Sequence, residues 1–266
     1  MIRPIFASLV ASTIALSVGA VSFGCSSSTT NNPATGGDGG TGGDGGGGDG
    51  SVGAGMAKQK GKMVELGQAV GVVGATVDLG GHSAVTMGAP SKGVYEIAVP
   101  INTPYFMTVT EPAHVKLIEQ EWQISADYDR STTGMVDMGT QSMLQGALPG
   151  FDTTKGVLGV GITKSAGGAC ASEAGATIAL AVPGNSKVRY FKGGFPDGST
   201  MVVLDGQTTP SAVIYNIDIG ADLTLAATAP TNCTLDTFPH VEGAVTYTGK
   251  AKVEAGASSF TRVFVK

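Results

Sequence analysis

Gly74-Ala75-Thr76-Val77-Asp78-Leu79 returns about a hundred residues further on as Gly175-Ala176-Thr177-Ile178-Ala179-Leu180. In each copy the apolar residues fall on alternate positions, the period of a strand with one buried face. The flanking chain keeps the same order twice. A Tyr-containing strand follows, Gly93-Val94-Tyr95-Glu96-Ile97-Ala98-Val99 in the first copy and Ala212-Val213-Ile214-Tyr215-Asn216-Ile217-Asp218-Ile219 in the second. Next comes Pro104-Tyr105-Phe106-Met107-Thr108-Val109-Thr110, matched by Ala221-Asp222-Leu223-Thr224-Leu225-Ala226-Ala227-Thr228. Three elements kept in order predict two similar units in tandem, the second enlarged by about 20 residues around Lys187 to Thr209. Gly, Pro, Asn and Asp punctuate the strands at short intervals, as at Gly80-Gly81, Pro183-Gly184-Asn185 and Pro196-Asp197-Gly198. The fold class is therefore all-β, with antiparallel strands packed as sandwiches.

The order Gly-Ala-Thr-Val-x-Leu, Gly-Val-Tyr-Glu-Ile-Ala-Val-Pro, Pro-Tyr-Phe-Met-Thr-Val-Thr resembles the carboxypeptidase regulatory-like domain, a small prealbumin (transthyretin-like) β-sandwich. The resemblance covers Gly67 to about Leu117, and Ala169 to about Ala229 more loosely, because Val-Ile-Tyr replaces Gly-Val-Tyr in the second copy. It implies two tandem sandwiches, at 61–130 and 151–266, and carries no catalytic residue. Between them, 131–150 reads as a helical connector. Met135, Met138, Leu144, Ala147 and Leu148 recur near helical spacing, Ser131 or Thr132 supplies a cap, and Pro149-Gly150 ends it. Gly134, Gly139 and Gly146 weaken that helix by up to about 1 kcal/mol each.

Upstream, residues 1–24 hold Arg3 and then an apolar stretch from Ile5 to Phe23, the layout of a secretory signal. Ser8, Ser12, Thr13, Ser17 and Ser22 make the same stretch a poor membrane span. Val21-Ser22-Phe23-Gly24-Cys25 followed by Ser26 resembles a bacterial lipobox, although Ser22 and Phe23 depart from its usual Leu and small residue. An ordinary signal with a stray Cys is the competing reading. The resemblance implies that Cys25 is lipidated and that membrane lipid is a partner. Ser26 after it resembles the pattern of lipoproteins sent to the outer membrane. From Cys25 to Lys60 the chain is Ser/Thr and then Gly/Asp, a tether too poor in apolar groups to offset the entropy of ordering. A coil of about 35 residues reaches roughly 30 to 35 Å. Asp38, Asp44 and Asp49 lack the apolar residues that a calcium-binding β-helix repeat needs. With Cys25 assigned to lipid, three cysteines leave Cys170 and Cys233 as an even pair for a disulfide in an oxidising compartment. Two free thiols are the alternative.

Chemistry-bearing constellations are sparse. A net charge of -5 with 14% charged residues argues against a basic nucleic-acid binder, so no nucleic-acid partner is expected. His82, His114 and His240 lie on separate segments without zinc-site spacing. No Gly-x-Ser-x-Gly elbow, His-Glu-x-x-His helix or phosphate loop occurs, and neither a metal nor another cofactor is expected. The single Trp, Trp122, sits near Glu119, Glu121, Asp127, Asp129, Tyr128 and Arg130. It is the one candidate ligand contact, as a sugar platform; the commoner role of such a residue is core filler. The sequence thus reads as a non-enzymatic, lipid-anchored cell-envelope protein, placed in the periplasm or at the cell surface. Its sandwiches would serve structural or adhesive binding to protein or polysaccharide. A carbohydrate-binding accessory module of a secreted hydrolytic system is the alternative, and a metal- or carboxylate-dependent hydrolase ranks below both.

Overall fold

The computed structural model describes residues 53–205, 210–220 and 223–266. The signal segment, Cys25 and most of the Gly/Asp run lie outside these residues, as do Ala221 and Asp222 of the second copy. The described chain is all-β, with sixteen strands and one short helix.

Seven strands build the first half: β1 (Met56–Glu65), β2 (Thr76–Leu79), β3 (His82–Val85), β4 (Val94–Pro100), β5 (Tyr105–Thr110), β6 (Lys116–Ile124) and β7 (Tyr128–Met135). One layer is β4-β1-β7; the facing strands run in the order β6-β5-β2-β3. Alternation explains the packing. Tyr95, Ile97 and Val99 point inward from β4, Val77 and Leu79 from β2, and Tyr105, Met107 and Val109 from β5. Gly61 on β1 lies opposite Tyr95, where a Cβ would come within 2.7 Å of the phenol oxygen, so only glycine admits the ring there.

The helix α1 (Met138–Gly146) follows, and nine strands build the rest: β8 (Gly156–Lys164), β9 (Thr177–Leu180), β10 (Lys187–Lys192), β11 (Phe195–Asp197), β12 (Ala212–Ile217), β13 (Leu225–Thr228), β14 (His240–Glu242), β15 (Val245–Tyr247) and β16 (Ala257–Val265). The pairing scheme of the first half recurs here. Thr76 faces Thr110 and Leu79 faces Met107 between β2 and β5; Thr177 faces Thr228 and Leu180 faces Leu225 between β9 and β13. β4 lies antiparallel to β1 as β12 does to β8. Gly74 and Gly175 share positive φ values of 80° and 90°, a conformation glycine adopts without the Cβ penalty. Their N–H groups donate to the carbonyls of Thr86 and Val203, and the Thr86 and Val203 N–H groups donate back to Ala75 and Ala176. The residues that enlarge the second copy include the β10–β11 hairpin, which extends one edge of the sheet.

Four sequence expectations need correction. First, not every pairing is antiparallel: β1 with β7, and β16 with both β6 and β8, run parallel. Each half makes a full circuit before its last strand returns beside its first, and such a long connection permits the parallel direction. Second, the tether assigned to 25–60 overlaps β1, which begins at Met56. Lys58 and Lys60 fall in that tether, yet with Lys62 they are the outward half of an alternation whose inward half is Ala57, Gln59, Gly61 and Met63. Third, 131–135 completes β7, so the connector helix is only Met138–Gly146, capped by Asp137 rather than Ser131 or Thr132. The Asp137 carboxylate accepts from the N–H groups of Gly139 and Thr140. Fourth, the halves do not divide cleanly at 150. β16 inserts between β8 and β6 and joins both halves into one eleven-stranded sheet. Its alternation serves two cores, Phe264 entering the first while Val263 and Val265 enter the second.

Candidate functional site

A group of polar and aromatic side chains lies in the first core, around Trp122. β6 carries Trp122 inward, and only 1% of the residue is exposed. Tyr105 meets it edge-on at 5.0 Å between ring centroids and Tyr128 at 6.0 Å. The Arg130 guanidinium lies 5.3 Å from the indole centroid. Its Nη2 donates to Glu119 Oε1 at 2.8 Å and its Nε to Thr133 Oγ1 at 3.0 Å. The ion pair is nearly enclosed, with side-chain exposures of 10% and 12%. Burial opposes the charge on Arg130, but Glu119 and the surrounding phenols outweigh it and raise its pKa above the ordinary arginine value.

Further in, Gln59 Nε2 donates to the Tyr95 hydroxyl at 2.8 Å, and that hydroxyl donates to Met107 Sδ at 3.7 Å. Burial pushes the Tyr95 phenol up to about 12, against the pull of Arg130, and raises Tyr105 as well. These groups form a packed interior, and the Trp122 face is covered by neighbours. The sugar-platform expectation for Trp122 therefore finds no exposed ring, and the core role is the one it occupies.

The neighbouring acids are held by separate partners. Glu121 accepts from Thr248 Oγ1 at 2.8 Å and pairs with Lys250 at 3.3 Å; Asp127 Oδ1 accepts from the Lys58 N–H at 2.8 Å; Asp129 is exposed on β7. The three histidines also sit apart. His82 is half-buried on β3. His114 Nδ1 contacts Glu111, whose carboxyl is held below its usual range chiefly by that hydrogen bond. His240 stacks on Phe264 at 3.7 Å between centroids and hydrogen-bonds Asp236 at 3.0 Å. Sequence reading missed the Asp236 cluster because two of its partners, Lys266 and Ser165, come from distant segments. Lys266 Nζ donates to Oδ1 at 2.9 Å, and Ser165 Oγ donates to Oδ2 at 3.1 Å. Among the described residues no group of three or more His, Cys, Asp or Glu side chains is arranged to hold a metal ion.

Cys170 and Cys233 are joined, with Cα atoms 4.9 Å apart and a sequence separation of 63. The bridge ties the approach to β9 to the chain after β13, at the margin of the second core. A cavity of about 60 Å³ lies under α1, lined among others by Gln141, Leu144, Leu148, Phe151, Phe191 and Val213. That volume is far below the roughly 300 Å³ at which small-molecule pockets begin. No described helix is long and apolar enough to cross a membrane.

No protein-family model matches the chain, and no curated protein sequence matches it. Solved structures similar to it include the Bacillus anthracis TIE protein, at 12% identity over 79% of this chain and 34% of that chain, with a TM-score of 0.24. The chain thus spans about a third of that protein. A family-26 carbohydrate-binding module from Eubacterium rectale Amy13K, solved with maltoheptaose, is 9% identical over 79% of this chain and 95% of its own, with a TM-score of 0.29. The shaft pilin spaA of Lactobacillus rhamnosus GG is 10% identical over 79% and 97%, with a TM-score of 0.21. The class defined by the strands and the apolar clusters packed between them is an all-β sandwich protein.

Proposed function

We propose that this chain is an exported, lipid-anchored and non-enzymatic component of the envelope of a double-membraned bacterium. Its sandwiches, read as carboxypeptidase regulatory-like units, serve as a rigid structural or adhesive element carried on a Gly/Asp tether. The observation that carries the reading is the Cys170–Cys233 bridge. Disulfides persist in oxidising compartments, and pairing these two leaves Cys25 as the one odd thiol, placed where a lipobox-like sequence would have it modified. The non-catalytic part is supported by the polar groups of the interior, since Arg130 and Glu119 are matched to each other and His240 hydrogen-bonds Asp236 in packed surroundings. The carbohydrate-binding alternative rested on Trp122 and is weakened by its burial.

The test is labelled palmitate fed to cells expressing the full chain. Wild type is expected to incorporate label and to fractionate with membranes, whereas Cys25→Ser releases an unlabelled protein. Equal behaviour of the two would refute the anchor. Retained folding of Cys25→Ser, read from its circular dichroism, separates loss of the anchor from loss of the fold.

A further inference from the structure

Gln120 and Thr261 meet in the seam where β16 leaves β6. The two strands pair in parallel as far as Glu119 opposite Phe260, after which β16 continues beside β8 to Val265. At the point of divergence the Gln120 side chain takes over from the ladder. Its Oε1 accepts from the Thr261 hydroxyl at 2.7 Å and from the Arg262 N–H at 2.6 Å. Both side chains are sealed, with Gln120 3% and Thr261 2% exposed. The Arg262 N–H fixes which way the carboxamide faces, because the opposite orientation would set donor against donor. Nε2 is therefore turned away, and among the described residues it is buried with no hydrogen-bond partner. A buried amide NH₂ without a partner is costly, and an ordinary hydrogen-bonding role leaves that cost unexplained.

The arrangement brings together groups that an acyl transfer uses. A hydroxyl nucleophile is held against a carboxamide, and a backbone N–H is aimed at the oxygen on which negative charge would develop. With a carbonyl bond of about 1.2 Å, the 2.7 Å contact sets the Thr261 oxygen roughly 3 to 4 Å from the Gln120 carbonyl carbon, close to attack distance. We propose that Thr261 and Gln120 condense into an intramolecular ester that fastens the C-terminal strand to β6. The Thr261 Oγ1–Cδ bond forms and the Gln120 Cδ–Nε2 bond breaks. The hydroxyl proton passes, through the carbonyl oxygen it already faces, to Nε2, which departs as ammonia. No oxidant or co-reactant enters. The orphaned NH₂ is the group that leaves. This proposal stands independently of the membrane anchor.

Tryptic digestion of the reduced full-length protein tests it. Cleavage at Lys116, Arg130, Lys252 and Arg262 yields peptides 117–130 and 253–262, which carry Gln120 and Thr261. The expected product is one joined species weighing about 17 Da less than the two peptides together, the mass of one ammonia. Mild hydroxide should part it into an unmodified Thr261 peptide and one with Glu at position 120. Thr261→Val should give the two peptides separately and unmodified, as should Gln120→Leu. Complete recovery of both peptides unjoined from wild type would overturn the proposal. So would an ammonia loss confined to the unjoined peptide 117–130, which would report cyclisation of an amide side chain, Gln120 or Gln123. The wild-type digest decides the question even if a variant fails to fold.

Discussion

Arg130 and Glu119 show what a buried charge contributes when its partner is fixed. Taking either ion out of water is costly, and the pair persists because the guanidinium also meets Thr133 and the Trp122 face. Arg130→Met should strand the Glu119 carboxylate and cost about 3 to 5 kcal/mol in denaturant unfolding. Arg130→Met combined with Glu119→Leu should recover most of that loss; a double variant as unstable as the sum of the singles would show that the pair is not coupled. Asp236 makes a pH prediction. Hydrogen bonds from Lys266 first, and from Ser165 and the Thr237 N–H, hold its carboxyl down to about 2, below the ordinary value of about 3.9. A group depressed in the fold stabilises it fully above about pH 4 and loses that contribution as pH falls through about 2. Thermal unfolding followed between those pH values should be steeper for wild type than for Asp236→Asn, and identical slopes would remove Asp236 from the account. At this scale the sequence hid much. Trp122 could have been placed by the apolar alternation of Trp122 and Ile124, but Arg130 sits among Asp129 and Ser131 on a strand whose local pattern looks solvated.

Strands were legible where alternation was apolar enough and where a turn residue marked the boundary. β2, β4 and β5 answer to that description, and so do β9, β12 and β13. β1 escaped because its outward positions are three lysines and its inward ones include Gln59 and Gly61, a composition shared with tethers. β16 was invisible in another sense. Its residues read well as a strand, but its neighbours β6 and β8 are set by contacts about a hundred residues or more away, and no local signal encodes them. The disulfide belongs to this scale too, since it links the margins of β9 and β13. Closing a 63-residue separation should contribute about 4 kcal/mol, mainly by limiting the unfolded chain. Cys170→Ala with Cys233→Ala should lower the unfolding free energy by that amount, read as a fall in the denaturant midpoint, with little change in far-ultraviolet circular dichroism. An unchanged midpoint would mean that the bridge adds nothing to this fold.

Over the whole molecule, duplication of the pairing scheme and continuity of the sheet pull in different directions. The two larger cores suggest two cooperative units, whereas β16 supplies Phe264 to one and Val263 and Val265 to the other. Loss of that strand opens both at once. Fragments 53–150 and 151–266 expressed apart should therefore differ: the first, lacking Phe264, should show exposed apolar surface and no cooperative transition, and the intact chain should unfold in one step. Two resolved calorimetric transitions in the intact chain would argue for independence instead.

Strand position also decides how the fold comes apart. The first and last strands of most domains lie where they can peel away, but β1 is flanked by β4 and β7, and β16 by β8 and β6. Tugging on either tail of the folded region would drag against ladders on two sides, and fraying should start at the outlying hairpins. Amide deuteration slowest at Met63 and Val263, and quickest at the β10–β11 tip, would be the signature of a body built to be held by its ends.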